Sequence, residues 1–446
     1  MSTGEGHSIY FLGIGGIGMS ALARYYHSQG CTIAGYDHTP SPLTKQLEHE
    51  GMAIHYEDNP NLLPALIDLV IYTPAVPGNL KEFEALRLRG LPILKRSEAL
   101  GRISEQHFTI AVAGTHGKTT TTAMIAHILH ECGIDTTAFI GGIANNFGSN
   151  LLLGQGTDSF LIVEADEFDR SFLHLHPDVS VINSIDADHL DIYGDKQHLV
   201  EGFNDFAHLT ADKVIVKEGL DIRTDSGLRF GFGNGCDYRA DIIKSQNGTT
   251  DFFINGEGRA TVVNLPLAGH HNVLNATAAF IAARQIGIAP QAIAHALATF
   301  KGVKRRFDIR VNNGRHCYID DYAHHPEEIR SCLSAVRTSF PERRLTLVFQ
   351  PHLFSRTRDF MDEFASALAL ADELILLDIY PAREKPIEGI TSDTLLIKVP
   401  LDEKRICQKS ELIDLIDREK PELLITMGAG DIDRFVEPLG KLVKSW

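Results

Sequence analysis

The 446-residue sequence has no apolar run close to the ~18 consecutive residues that a helical membrane span needs, which excludes a helical membrane protein and argues against a membrane partner. Its first residues, Met1 to Ser8, lack the basic start and apolar core of an export signal, and Ile9 onward reads as a strand. The expectation is a cytoplasmic protein. Positive charge is in deficit: 42 Lys and Arg stand against 58 Asp and Glu, a formal charge of −16. An acidic surface repels phosphodiester backbones, so no nucleic-acid partner is expected, although single loops can still hold small phosphorylated ligands. The six cysteines include no CxxC pair or other close metal spacing and read as reduced, buried thiols. Internal repeats and low-complexity tracts are missing too.

What is present is apolar residue in quantity, 43% of the chain, arranged as short runs alternating with helical stretches. That alternation is the βαβ pattern of α/β domains built on parallel sheets. The length suits three domains, and the breaks in the pattern put them at residues 1–104, 105–308 and 309–446. In the first, Ser8–Leu12, Thr32–Tyr36 and Leu69–Tyr72 read as strands and Met19–Gln29 as a helix. In the second, Phe108–Ala113, Phe160–Val163 and Val179–Asn183 read as buried strands, with helices from Lys118 to Cys132 and from Asn272 to Gln285. Several short strands are expected over 214–264, with turns at Gly233-Asn234-Gly235 and Asn247-Gly248. The third opens on a strand at His316–Ile319 and continues with Leu345–Phe349, Glu373–Leu377 and Leu423–Met427.

Two glycine turns carry the chemistry. Gly13, Gly15 and Gly18 fit GxGxxG between a strand and a helix, with Gly16 inside the motif and Asp37 at the end of the next strand. Glycines there let backbone N–H groups approach a diphosphate at a helix N-terminus. Taken alone, the turn and Asp37 suit a dinucleotide-binding dehydrogenase as well as any other diphosphate binder. The second turn is Gly114-Thr115-His116-Gly117-Lys118-Thr119-Thr120, again after a strand and before a helix. Here backbone N–H groups would cradle phosphates, Lys118 would offset their charge and the Thr119 hydroxyl would reach Mg²⁺. The loop is shorter than GxxxxGK[ST], since Val112 occupies the first glycine position. Glu164, at the tip of a buried strand, is well placed for Mg²⁺, and Asp186–Asp191 follows a second one. His189 is an unusual but possible ligand in that stretch, whose acids would serve equally as helix caps.

With these motifs in place the chain resembles the Mur ligase family over its whole length. The resemblance rests on GIGGIGMSALA (13–23), GTHGKTTTT (114–122), EADEFDRSF (164–172), DADHLDIYG (186–194), PLAGHHNVLNATAA (266–279), FKGVKRRF (300–307), DDYAHHPEEI (320–329), FQPHLFSRT (349–357), DIYPAREKPIEG (378–389) and MGAGDI (427–432).

The resemblance implies an N-terminal Rossmann-like domain for a UDP-sugar, a central ATPase-type domain and a Rossmann-like C-terminal domain for the incoming amino acid. It implies an ATP-dependent amide ligase that joins L-alanine to UDP-N-acetylmuramate through an acyl phosphate, with ATP and Mg²⁺ as cofactors. Gly13, Gly15, Gly16, Gly18 and Asp37 then belong to the UDP-sugar site, and Gly114, Thr115, His116, Gly117, Lys118, Thr119 and Thr120 to the ATP site. His271 and Asn272 match the adenine-contacting segment, and Thr119, Glu164 and His189 the magnesium ligands. Arg306 matches an arginine near the phosphates, Tyr322 and His324 line the amino-acid pocket, and Arg356 reaches into it. His324 is also a candidate base for the amine. Two departures stand out: Leu353 occurs where an arginine is common, and Arg383 where a glycine is common. A monomer or weak homodimer is expected. The alternatives are the related recycling ligase, which attaches a tripeptide to the same sugar, the dehydrogenase, and a non-catalytic nucleotide-sensing module.

Overall fold

In strand β1 (Ser8–Leu12), Ile9 and Phe11 face one hydrophobic core, while Tyr10 and Leu12 face another. Both faces of the strand are covered, which is why it reads as a continuous apolar run and not as an alternating one. The computed structural model describes residues 6–156, 159–186, 193, 195–382 and 384–446. The strand expectations at Ser8–Leu12, Thr32–Tyr36, Leu69–Tyr72, Leu345–Phe349 and Leu423–Met427 hold residue for residue.

Two compact units make up the chain. The first comprises Met1–Arg239, Asn255–Arg259 and Asn275–Ala296; the second comprises Ala240–Ile254, Ala260–Leu274 and Leu297–Trp446. In the first unit β1, β2 (Thr32–Tyr36), β3 (Ala53–His55), β4 (Leu69–Tyr72) and β5 (Ile93–Lys95) form a parallel sheet in the order β3-β2-β1-β4-β5. The order reverses beside β1, so the crevice at its carboxyl end is a topological switch point. Helix α1 (Ile17–Ser28) leaves that crevice, followed by α2 (Pro42–His49), α3 (Lys81–Leu88) and α4 (Arg96–Ser104). Helix α1 begins two residues before the expected Met19, because Gly16 is its extended N-cap.

The second sheet is centred on β6 (Thr109–Ala113), which leads into α5 (Lys118–Glu131). Strands β7 (Thr136–Ala144), β8 (Ser149–Leu152), β9 (Phe160–Ala165), β10 (Val179–Ile182), β11 (Lys213–Lys217) and β12 (Gly227–Gly231) order around it as β12-β11-β10-β6-β9-β7-β8. Both neighbours of β6 run parallel to it, so a second switch point lies at its carboxyl end. Strands β13 (Tyr238–Gln246), β14 (Thr249–Gly256) and β15 (Arg259–Leu265) complete the sheet, and the division into units runs through them. Asn247 and Gly248 join β13 to β14 with φ of 51° and 83°, the paired positive values of a tight hairpin turn.

The second unit holds β16 (Asp308–Asn312), β17 (Cys317–Asp321), β18 (Leu345–Phe349), β19 (Glu373–Leu376), β20 (Lys404–Ile406) and β21 (Leu423–Met427), in the order β16-β17-β21-β18-β19-β20. All pairs are parallel except β16–β17. The edge strand β16 precedes the expected start of this sheet at His316. Its mixed sequence, Asp-Ile-Arg-Val-Asn, carries too little apolar residue to announce a strand. None of the described helices is long and apolar enough to cross a membrane.

Candidate active site

The glycine turn after β1 is held by its neighbours. Gly13 and Ile14 donate their N–H groups to the Tyr36 carbonyl at 2.8 and 3.1 Å. Gly13 has φ of 82°, and a Cβ there would lie 2.7 Å from Thr73 Cγ2. Gly15 donates its N–H to Asp37 Oδ2 at 2.8 Å, and Asp37 Oδ1 accepts from the Thr39 N–H at 3.2 Å. Asp37 thus touches the turn it was expected to accompany. Gly16 caps α1 and Gly18 lies in its first turn, where helix N–H groups lack partners within the helix.

At the carboxyl end of β6, Gly114 (φ 130°) and Gly117 (φ 83°) take conformations that only glycine adopts readily. A Cβ at Gly117 would meet Asn275 Oδ1 at 2.5 Å. The N–H of His116 donates to Ser184 Oγ at 2.8 Å and that of Thr115 to the Ser184 carbonyl at 3.2 Å, so the chain after β10 braces the loop. Thr120 is buried one residue further into α5.

Lys118 Nζ donates to the Gly114 carbonyl at 2.7 Å and to both oxygens of Glu167, at 2.7 and 3.0 Å. Glu167 is buried. Burial pushes its carboxyl up while Lys118 pulls it down, the net direction being upward. On Lys118 burial works against the ammonium, but Glu167, Asp166 and Glu164 outweigh it and the net shift is upward. The lysine is therefore a charged ammonium at neutral pH, wrapped back on its own loop.

The metal expectation rests on Thr119 and Glu164. Thr119 Oγ1 donates to Glu164 Oε2 at 3.2 Å, and Gly141 N–H holds Glu164 Oε1. Two oxygens bound to one Mg²⁺ at adjacent octahedral positions stand about 3 Å apart, so this hydroxyl–carboxylate pair fits that ion. Mg²⁺ keeps several waters and uses few protein ligands. That agrees with the lack of any larger His, Cys, Asp and Glu cluster among the described residues. His189 lies outside the described residues, as do Asp188, Asp191 and Arg383.

In the second unit the expected amino-acid residues come together at the carboxyl ends of β17 and β18. Tyr322 and His324 follow β17; their rings meet edge-on at 5.2 Å between centroids. His324 Nδ1 lies 3.0 Å from the Tyr322 carbonyl, which can only accept, so Nδ1 carries the proton and Nε2 keeps a lone pair. His352 follows β18, 5.9 Å from the His324 ring and stacked on Tyr380 at 5.7 Å. Arg356 Nη1 lies 3.4 Å from His352 Nδ1. Burial lowers both imidazoles: His324 is held below its ordinary value, Arg356 adding to the effect against Glu328, and His352 falls to about 4. Both are neutral at neutral pH.

Arg306 sits over the Tyr322 ring at 5.1 Å. Neither Arg306 nor Arg356 makes a direct ion pair among the described residues, although Arg306 acts on Asp321 and Arg356 on Glu384 at longer range, whereas Arg305 is paired with buried Asp320 at 3.2 Å. Half-buried arginines with no carboxylate in direct contact suit an anionic ligand. Leu353 caps the helix Phe354–Asp359 at φ 73° and donates its N–H to the Tyr380 carbonyl at 2.9 Å. The unusual residue therefore stands on a strained backbone between His352 and Arg356. His271 and Asn272 lie in the first turn of the helix His270–Gln285, which starts before the expected Asn272. His271 Nδ1 is 3.0 Å from Ser331 Oγ, and Asn272 donates to the Ala268 carbonyl at 2.7 Å.

Glu167, Asn275, Arg305, His352 and Tyr380 received no individual role from the sequence. Each lies inside or beside a recognised motif but gains its place from a partner distant in sequence.

Three family models match the chain in succession: "Mur ligase family, catalytic domain" over residues 8–108, "Mur ligase middle domain" over 112–283 and "Mur ligase, glutamate ligase domain" over 305–430. The chain is 46% identical to a UDP-N-acetylmuramate–L-alanine ligase of Cytophaga hutchinsonii, covering 97% of this chain and 96% of the relative. Among solved structures, the UDP-N-acetylmuramate-alanine ligase of Thermotoga maritima superposes with a TM-score of 0.85 at 29% identity, covering 98% of this chain and 99% of that one. A murein peptide ligase from Psychrobacter arcticus superposes with a TM-score of 0.74 at 26% identity, covering 99% of both chains.

Proposed function

The chain belongs to the Mur ligase family, and on that premise we propose that it joins L-alanine to UDP-N-acetylmuramate at the expense of ATP, in peptidoglycan synthesis. The observation that carries the reading is the phosphate loop after β6, with a charged Lys118 inside it and the Thr119–Glu164 pair beside it. The functional division is into a UDP-sugar domain (1–104), an ATP and Mg²⁺ domain (105–308) and an amino-acid domain (309–446), in a cytoplasmic protein that is a monomer or weak homodimer.

A carboxylate does not condense with an amine in water, because hydroxide is a poor leaving group. Transfer of the γ-phosphoryl group to the lactyl carboxylate of the sugar forms a carboxyl–phosphate bond as the β–γ bridge breaks, and ADP leaves. The alanine amine then attacks the carbonyl carbon, the amide bond forms, and phosphate departs with the former carboxylate oxygen. Lys118 must turn from Glu167 to the phosphates, where its charge offsets what builds up on the transferring group. Thr119 and Glu164 would hold Mg²⁺, which neutralises phosphate charge when bound; His189 completes the proposed ligand set. His271 and Asn272 are assigned to the adenine and Arg306 to the phosphates. Tyr322, His324 and Arg356 hold the amino acid, and neutral His324 has an Nε2 lone pair to take the amine proton.

Two variants test the assignments. Gly15→Val places a Cβ 2.6 Å from Thr44 Cγ2 and 2.8 Å from Asp37 Oδ2. It is expected to weaken UDP-N-acetylmuramate at least about tenfold, with ATP binding unchanged, as read by calorimetry. Equal loss of both ligands would mean misfolding. Arg356→Lys keeps the charge but not the planar fork that pairs with a carboxylate. Its KM for L-alanine is expected to rise at least about tenfold, or about 1.4 kcal/mol, at constant KM for ATP. If Arg383→Ala alone has that effect, the carboxylate clamp lies there instead. The activity itself is read from phosphate release with UDP-N-acetylmuramate, comparing L-alanine with a tripeptide. Preference for the tripeptide would assign the chain to the recycling ligases.

A further inference from the structure

Before β16 the chain makes a turn in which Arg305 stands at φ 63° and Phe307 at φ 49°, two left-handed positions that flank Arg306. Carboxylates hold that backbone: the Arg305 N–H donates to Asp308 Oδ2 at 3.4 Å, and the Phe307 N–H to Asp321 Oδ2 at 2.7 Å. The Arg305 carbonyl accepts the Tyr322 N–H at 2.6 Å. The Arg305 guanidinium donates from Nε to Asp320 Oδ2 at 3.2 Å and from Nη2 to the Gly428 carbonyl after β21. Its Cζ stands 5.2 Å from the centroid of the Tyr322 ring. Asp320 is fully buried in β17, and a buried carboxylate keeps its charge only beside a cation. Burial pushes this carboxyl up to about 7 while Arg305 pulls it down. Its other oxygen, Oδ1, accepts from Thr426 Oγ1 at 2.7 Å. The Thr426 hydrogen is then engaged, so the Tyr318 hydroxyl, 2.9 Å away, donates to Thr426. The donors run from Tyr318 through Thr426 to Asp320, with Arg305 on the opposite oxygen.

We propose that Arg305, anchored by Asp320, is the positioning residue of Tyr322 in the amino-acid site. The inference rests on the reading of that site as the L-alanine pocket. Arg305 holds Tyr322 twice, through its backbone carbonyl and through a cation over the ring. Two neighbouring arginines divide the work at that ring, their Cζ atoms standing 5.2 and 5.1 Å from its centroid. Arg305 is paired with Asp320, whereas Arg306 makes no direct ion pair among the described residues and stays available to a ligand. Asp320 and Thr426 face each other on the adjacent strands β17 and β21. Arg305 therefore fixes Tyr322 against two strands of the sheet and not against its own loop alone. A ring held in place before the ligand arrives needs no ordering on binding.

The test is steady-state phosphate release by the full-length protein, with KM measured for L-alanine, ATP and UDP-N-acetylmuramate. The variants are Arg305→Met, Arg305→Lys, Tyr322→Ala, Arg305→Met with Tyr322→Ala, and Arg305→Met with Asp320→Asn. Arg305→Met is expected to raise the KM for L-alanine at least about tenfold and to leave the other two within about twofold. Arg305→Lys keeps the charge and should recover part of the loss. Adding Arg305→Met to Tyr322→Ala should raise the KM for L-alanine no further, since a residue that acts through Tyr322 then has nothing left to position. Arg305→Met with Asp320→Asn removes both charges of the buried pair. It should regain the melting temperature lost by Arg305→Met and keep the raised KM, so it tests the proposal even where Arg305→Met does not fold. The proposal is overturned if that neutral pair shows the wild-type KM for L-alanine. It is equally overturned if all three KM values rise together, or if the effects of Arg305→Met and Tyr322→Ala add. The reading beneath the proposal fails separately, if the wild type releases no phosphate in response to L-alanine or Tyr322→Ala leaves its KM unchanged.

Discussion

Lys118→Ala is expected to lower ligation by about a thousandfold, roughly 4 kcal/mol of transition-state stabilisation, in line with removing a preorganised charge from a reacting site. The lysine reads from the sequence as a residue of charge and not of packing, whose loss would leave the fold intact. The structure adds a cost. Its ammonium is the partner of both Glu167 oxygens, and Glu167 is buried. Removing one member of a buried pair costs about 3–5 kcal/mol when the other stays charged. The alanine variant should therefore melt at a lower temperature, or take up a proton at Glu167. Lys118→Ala combined with Glu167→Gln separates the two effects: the double variant should regain thermal stability and stay inactive. Near-normal turnover in a folded Lys118→Ala protein would reject the assigned role.

Glu164→Ala is expected to cut turnover by about a hundredfold and to move the Mg²⁺ dependence to concentrations at least about tenfold higher. The carboxylate holds the Thr119 hydroxyl at 3.2 Å and takes the Gly141 N–H on its other oxygen. The proposed ligand pair is thus preorganised, and alanine removes its only charged member. A magnesium titration of ligation measures the shift. An unchanged titration would make Glu164 a structural residue that braces β7 against β9.

The parts of the fold legible in the sequence are those fixed by local signals. Strands β1, β2, β4, β18 and β21 are apolar runs closed by glycine, proline or polar residues, and their bounds are read residue for residue. The glycine turn after β6 is legible because its glycines need positive φ at Gly114 and Gly117. The edge strand β16 escapes notice, since pairing on one side only asks little of its side chains. The GxGxxG turn, read alone, suits a dehydrogenase equally well; membership of the Mur ligase family decides the enzyme class and not the role of the turn. Partnerships such as Glu167 with Lys118, His352 with Tyr380 and Arg96 with Asp166 join residues 28 to 70 positions apart in sequence. No local periodicity reports them. Leu353 is a special case: the sequence marks it as unusual, but only the backbone shows that it occupies a left-handed position.

The central claim is that the sugar carboxylate is phosphorylated before the amine attacks. The most direct measurement uses UDP-N-acetylmuramate with ¹⁸O in its lactyl carboxylate, together with L-alanine, ATP and Mg²⁺, and mass analysis of both products. The account predicts the alanyl amide together with one ¹⁸O atom in each phosphate released. Amide formed with unlabelled phosphate would contradict it.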